Sequence, residues 1–347
     1  MSSVSVAQQD QGDVVLSVRG LVTEFASRSG AHRAVDGLSF DLRRGETLGI
    51  VGESGSGKSV AMLSISRLLR APGKVVAGEA LLDGVDLLVA SAGELRHLLG
   101  QKISMVFQDP MTSLNPVMTI GRQIAEVMTA HRPGLSRRAA RAEAVEILGS
   151  VGVPDPSRRF DQYPHEFSGG MRQRVVIAMA IANNPDVLIA DEPTTALDAT
   201  VQAQLLELLN KIKSEHGIAT ILITHDLRVI AETADRVLVM YGGRAVEEGT
   251  VDSVFSNPRH PYTVGLLASI PSIEDRREQL DAIPGQPPGP TDNLTGCRFE
   301  PRCTFATAEC TSQRPELRLI SKEQHRTACH HAEKLISAEA SFGELIS

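Results

Sequence analysis

Tryptophan is absent, and three tyrosines and nine phenylalanines are the whole aromatic content, 3% of the 347 residues. Stacking platforms for single-stranded nucleic acid therefore have little to be built from. Basic side chains are in the minority: 35 Lys and Arg face 42 Asp and Glu, a formal net charge of -7. A chain that grips nucleic acid through its phosphates ordinarily carries the opposite sign, so bulk electrostatics argue against that class of partner. Long hydrophobic runs are missing too. Residues 175–182 are eight apolar positions closed by Arg174 and Asn183, against the ~20 that a bilayer-spanning helix requires. The opening thirteen residues have neither the basic start nor the apolar stretch of a secretory signal, which predicts a cytosolic chain. Cysteine is rare and confined, with all four after residue 296.

What is present is ordinary globular composition, 42% apolar and 22% charged, and a length that at ~150 residues per domain implies about two domains. Polar residues 1–13 read as a flexible N-terminus. Across 14–255 short apolar runs alternate with helical patterns, as in an α/β domain with much parallel sheet. The clearest strands fall at 47–51, 103–107, 187–190, 220–224 and 236–240. Residues 111–180 carry few strand signals, and the spacing at 120–130 and 138–148 predicts a helical subdomain. Arg132, Arg137, Arg138 and Arg141 are interleaved with Glu143 and Glu146 and read as a solvated helix face. Asn257-Pro258-Arg259-His260-Pro261 breaks regular structure, and Pro284-Gly285-Gln286-Pro287-Pro288-Gly289-Pro290 is a stiff linker. Residues 256–335 are thus expected to be a C-terminal extension holding the cysteines, and 336–347 a tail of helical character.

Gly52-Glu53-Ser54-Gly55-Ser56-Gly57-Lys58-Ser59 fits G-x-x-x-x-G-K-[ST] between an apolar strand and a helical run at 60–69. In such a loop the glycines let successive backbone N–H groups turn around phosphates, where a Cβ would obstruct them. Lys58 is placed to reach the β- and γ-phosphates and Ser59 to ligate Mg²⁺. The following helix points its positive end at the same anion. Val187-Leu188-Ile189-Ala190-Asp191-Glu192 is an apolar strand ending in two carboxylates whose side chains alternate in direction. Asp191 is the candidate for Mg²⁺, and Glu192 for the group that orients or deprotonates the attacking water.

Ser168-Gly169-Gly170, in the run Gln162-Tyr163-Pro164-His165-Glu166-Phe167-Ser168-Gly169-Gly170-Met171-Arg172-Gln173-Arg174, offers a hydroxyl and bare amides at a helix start. It resembles the signature motif of ATP-binding-cassette (ABC) ATPases, with Phe167 in place of Leu and Met171 in place of Gln. The methionine variant is similar to that of peptide-importer ATPases. Gln108 resembles the Q-loop glutamine and is placed with the Mg²⁺ ligands. Ala196-Leu197-Asp198 resembles the D-loop, His225 the switch histidine, and Phe25 stands where an adenine-stacking aromatic falls. The resemblance implies a RecA-like parallel-sheet P-loop NTPase core with an antiparallel β subdomain and a helical insert. It further implies two cassettes sandwiching two ATP molecules, with Lys58, Ser59, Gln108, Asp191, Glu192 and His225 acting in cis and Ser168 and Gly170 in trans.

Beyond the cassette, Asn257-Pro258-Arg259-His260-Pro261-Tyr262-Thr263 and Cys297-Arg298-Phe299-Glu300-Pro301-Arg302-Cys303 resemble the C-terminal extension of dipeptide and oligopeptide importer ATPases, which nickel importers share. The gaps between Cys297, Cys303, Cys310 and Cys329 do not suit a zinc knuckle. The four are read as ligands of a structural [4Fe–4S] cluster, with His325, His330 and His331 as alternatives; four reduced thiols packing a small module is the other reading. The expectation is an ATPase subunit of a di- or oligopeptide importer, peripheral on the cytoplasmic face of the membrane. Its expected partners are integral-membrane permeases, a second and different ABC ATPase, and indirectly a solute-binding protein, with no nucleic acid. A nickel or other small-solute importer is the alternative. A soluble ABC ATPase of DNA repair or translation fits less well, because one cassette, an acidic balance and this tail count against it.

Overall fold

The computed structural model describes residues 14–27, 30–195, 197–269, 283–289, 295–321 and 324–335. The expectations for residues 1–13 and 336–347 fall outside them. Twelve strands are present among the described residues: β1 (Val14–Ser27), β2 (Gly30–Arg43), β3 (Thr47–Val51), β4 (Gly73–Leu82), β5 (Val85–Asp86), β6 (Ile103–Val106), β7 (Val187–Asp191), β8 (Ala219–Ile223), β9 (Arg236–Tyr241), β10 (Arg244–Thr250), β11 (Arg318–Leu319) and β12 (Arg326–Thr327). They form two sheets. One is antiparallel, in the order β2-β1-β4-β5; the other runs β11-β12-β10-β9-β3-β8-β7-β6. Its five strands from β9 to β6 are parallel, and β10, β12 and β11 continue it antiparallel.

Strands β3, β7 and β8 are buried at every position, which is why they read in the sequence as unbroken apolar runs rather than alternating ones. Three cores result. Leu16, Leu21, Leu38 and Leu42 of the antiparallel sheet close over Leu48, Ile50 and Met62. On the opposite side the helical subdomain packs Val175 and Ile177 onto Leu188. A third cluster joins Val239 and Tyr241 to Tyr262 and Phe299 of the extension.

The helical subdomain follows from its spacing. Helix Ile120–His131 buries Ile120, Ile124 and Met128, and helix Arg137–Ser150 buries Ala140, Ala144 and Leu148, an i, i+4 stripe on each. Gly121 admits Phe160 so closely that a Cβ would lie 2.0 Å from its ring. Arg141 forks onto Asp161 at 2.9 and 2.6 Å, and Arg132 meets Glu143 at 2.7 Å. Arg132 and Arg141 of the basic stretch are thus paired within the surface.

The helix after the glycine-rich loop is shorter than its pattern. It spans Lys58–Ile65, with Ser66 as C-cap. Arg67 then takes φ 51° and sends its guanidinium to the carbonyls of Leu87 and Ala90. The apolar residues at 68–69 therefore lie past the helix end.

The extension is built into the main sheet. Strand β12 pairs with β10 through Glu247↔Thr327 and Glu248↔Arg326. Buried Glu247 accepts from the amides of Arg259 and His260 and lies 2.7 Å from His325 Nε2. Asp36 of β2 takes Arg244 from β10 and Arg298 from the extension at 2.6 and 3.0 Å.

Candidate active site

The loop between β3 and helix Lys58–Ile65 needs its glycines for two reasons. Gly52, Gly55 and Gly57 have φ 149°, 80° and 99°, values that L side chains rarely take. At Gly52 a Cβ would meet Met240 O at 2.1 Å, and at Gly57 it would meet Ala34 O at 2.4 Å. Lys58 is buried, and its Nζ donates to Gly52 O at 2.7 Å, Glu53 O at 3.0 Å and Ser56 Oγ at 3.3 Å. Burial lowers its pKa, opposed by Glu192, Asp191 and Glu53.

Ser59 Oγ donates to Asp191 Oδ1 at 2.9 Å, joining two positions 132 residues apart because β7 lies one strand from β3 across β8. Burial raises the Asp191 pKa above the ordinary carboxylate range; the Ser59 hydrogen bond opposes that and Glu192 adds to it. A hydroxyl beside an under-neutralised carboxylate is a hard-oxygen donor pair of the kind Mg²⁺ takes.

Glu192, one residue past β7, has φ 47°. For a side chain larger than glycine this conformation costs on the order of 1–3 kcal/mol. It turns the carboxylate away from Asp191 into a ring of polar partners. Gln108 Nε2 donates to Glu192 Oε2 at 3.0 Å, Thr195 Oγ1 donates to the same oxygen at 2.8 Å, and His225 Nδ1 lies 3.4 Å from Oε1. The structure thus brings Lys58, Ser59, Gln108, Asp191, Glu192 and His225 to one end of the parallel strands. Thr195 and the backbone twist at Glu192 left no separate mark in the sequence.

The other expected residues are elsewhere. Ser168 caps helix Gly169–Ile181, its side chain accepting from the Met171 amide at 3.4 Å. Gly169 is open around its Cβ position, while Gly170 abuts Val201. The signature helix is tied back to the Gln108 loop through Arg172, whose Nη1 lies 3.1 Å from Met111 Sδ. Asp198 caps helix Ala199–His216, accepting from the Val201 amide at 3.0 Å; Ala196 lies outside the described residues. Phe25 stacks on its cross-strand partner His32, ring centroids 5.6 Å apart.

Over 35–195 the sequence matches the ABC transporter family, and over 246–310 the oligopeptide/dipeptide transporter C-terminal region. It is 47% identical over 317 residues to the dipeptide transport ATP-binding protein DppD of Escherichia coli, covering 91% of this chain and 96% of that one. This chain belongs to the ABC transporter family. Among solved structures it is similar to the dimeric post-hydrolysis ATP-binding cassette MJ0796 bound to ADP and Pi, at TM-score 0.62 and 28% identity, over 68% of this chain and 98% of that one. The likeness to cbiO1 of Clostridium perfringens, part of the cbiONQ transporter complex, has TM-score 0.59 at 29% identity, over 70% of this chain and 91% of that one. The ABC ATPase has the parallel core, antiparallel subdomain and helical insert that its sequence predicts. Among the described residues no helix is long and apolar enough to cross a membrane.

The cysteine cluster expected from the sequence gains no support. Among the described residues no group of three or more His, Cys, Asp or Glu side chains is placed to hold a metal ion. All four cysteines are free thiols. Burial pushes Cys303 up to about 11 and Cys329 up to about 12. His325 lies against Glu247 and His330 Nε2 is 3.0 Å from Gln313 O, whereas His331 Nε2 is 3.1 Å from Thr307 Oγ1 and 3.6 Å from Cys310 Sγ, and its amide donates to Cys329 Sγ at 3.4 Å.

Proposed function

We propose that this ABC ATPase hydrolyses ATP at residues 52–59, 108, 191–192 and 225 to drive import of di- or oligopeptides through separate permease subunits at the cytoplasmic face of the membrane. The observation that carries the site assignment is the gathering of Gln108, Thr195 and His225 around one Glu192 carboxylate, beside the Lys58–Ser59–Asp191 group. Peptide cargo rests on the extension and on relatives such as the dipeptide transport protein above.

In this reading the loop amides and Lys58 hold the phosphates. Ser59 and Asp191 would hold Mg²⁺, which when bound supplies positive charge to the phosphate oxygens. Glu192 orients the water and accepts its proton. Gln108 and Thr195 fix that carboxylate by donating to it, and His225 stands by its second oxygen. Ser168 and Gly170 complete the site of a partner cassette, so that an isolated chain lacks half the charge-stabilising cage. A related but different ATPase is the expected partner. Phe107, Met111, Val117 and Tyr163 are exposed apolar side chains of the Gln108 loop and helical subdomain, the surface on which a permease helix would dock. The thiols enter no step of the scheme.

ATPase activity measured over a dilution series tests the shared site: specific activity should fall as the chain is diluted and recover when the partner ATPase is added. Constant specific activity down to nanomolar chain removes the trans roles. Co-purification with an integral-membrane protein and ATP-dependent peptide uptake in vesicles test the transport assignment.

A further inference from the structure

Glu53 occupies one of the variable positions of the loop motif, yet the extension holds it on two sides. Its amide donates to Tyr262 Oη at 2.7 Å. Its carboxylate takes Arg302 Nη1 at 2.7 Å and Nη2 at 3.0 Å, the paired geometry in which guanidinium and carboxylate bind most strongly. The Arg302 side chain is 4% exposed. Its other hydrogens reach Pro284 O from Nε at 2.8 Å, Tyr241 Oη from Nη1 at 3.3 Å and Ile283 O from Nη2 at 3.1 Å, so all five donors of the group are used. Tyr262 is fully buried, with its ring 4.5 Å from that of Tyr241.

This grip is transmitted to the phosphate-binding lysine by covalent geometry. The Glu53 N–H and the Gly52 C=O belong to one planar trans peptide and point in opposite directions. Tyr262, by taking the N–H, aims the C=O inward, where it accepts from Lys58 Nζ at 2.7 Å. The Glu53 carbonyl, on the next peptide, accepts from Lys58 Nζ at 3.0 Å and from the Ser56 amide at 3.1 Å. Both carbonyls on which Lys58 rests are therefore oriented by a residue that the extension anchors.

We propose that the C-terminal extension sets the conformation of the phosphate loop through Arg302 and Tyr262, which act as positioning residues for ATP. The extension is then a lever on nucleotide affinity, and any ligand or partner that shifts residues 297–303 changes that affinity. The proposal rests on reading residues 52–59 as the phosphate loop.

The test is MgATP titration of the full-length chain, with steady-state KM and kcat, for K58A, E53Q, R302Q, R302K, Y262F and the E53Q/R302Q pair. E53Q and R302Q should each weaken MgATP binding about tenfold, with KM rising in step and kcat within about twofold. The double variant should be no weaker than either single one, because both remove the same link. R302K should recover part of the loss, since it keeps the charge without the fork; Y262F should cost about threefold. Wild-type or tighter Kd in E53Q and R302Q, additive losses in the pair, or a lowered melting temperature with unchanged Kd and KM would each overturn the proposal. K58A separates the two readings. If it binds MgATP normally, the phosphate-loop reading falls. If it does not bind while R302Q and E53Q bind as wild type, only the positioning role falls.

Discussion

Two glycine- and serine-rich turns open helices in this protein, and they are built differently. The phosphate loop is walled in. Gly52 and Gly57 are pressed against backbone carbonyls, Lys58 is buried, Ser59 meets a carboxylate, and Glu53 is tied to the extension. The signature turn is bare: Ser168 does no more than cap its helix, and Gly169 faces open space. A helix start leaves its first backbone N–H groups without intrahelical partners, so an open turn of this kind can present them to a second molecule. The contrast supports the proposal that the catalytic cage closes only when two cassettes meet.

Glu192→Gln is the most damaging way to sharpen that contrast. The finished pocket should still bind MgATP, but turnover should fall by about 10²-fold or more, as expected for loss of a general base; a single-turnover assay beside a binding titration reads both. Ser168→Arg attacks the open half. It should leave MgATP binding by the dilute chain unchanged while lowering concentration-dependent ATPase by at least about tenfold, through blocked approach of the second site. Loss of binding at high dilution would mean that the signature turn serves its own chain's nucleotide.

Alanine exchanges compare the two turns directly. Gly57→Ala drives a Cβ toward Ala34 O at a positive φ and should cost more than about 1 kcal/mol in urea unfolding. Gly169→Ala, in open space at the first turn of a helix, should be neutral or stabilising by about 0.5 kcal/mol. Equal effects would erase the structural distinction.

Acidity gives the smallest test. Because burial raises the Asp191 pKa, MgATP affinity should weaken as pH falls, starting above the ordinary carboxylate range, since Mg²⁺ needs the ionised form. The nucleotide-free fold responds with the opposite sign: Asp191 contributes stability that is fully present below its unfolded pKa and lost as pH rises through the folded value. The ratio of wild-type to Ser168→Arg ATPase should show no such dependence. Isothermal titration of MgATP from pH 5 to pH 8 reads the first effect, and paired ATPase assays over the same range read the second.

The cassette was legible in the sequence because its chemistry sits in short contiguous motifs. A strand, eight residues of loop and a helix start fix Lys58 and Ser59 relative to one another without any tertiary information. Asp191 and Glu192 were readable as a strand end, and parallel order then delivered them to the loop. The twist at Glu192 and the contact of Thr195 depend on backbone angles that no spacing encodes. Arg302 and Glu53 are 249 residues apart; the sequence displays both, but only the packed extension makes them neighbours. Strands β11 and β12, two residues each, are too short to leave a periodic signal. The four cysteines, a clear compositional cluster, are brought near one another by the fold, but among the described residues no group of three or more ligand side chains is placed to hold a metal ion.

Strand β12 has a consequence for handling the protein. A truncated cassette ending at residue 255 would uncover a raw sheet margin along Glu247 and Glu248, and such margins recruit foreign chains. It would also strip Glu247 of His325 and Glu53 of Arg302, stranding two carboxylates in surroundings shaped for cations. Aggregation after such trimming would report a missing partner strand rather than a defective core.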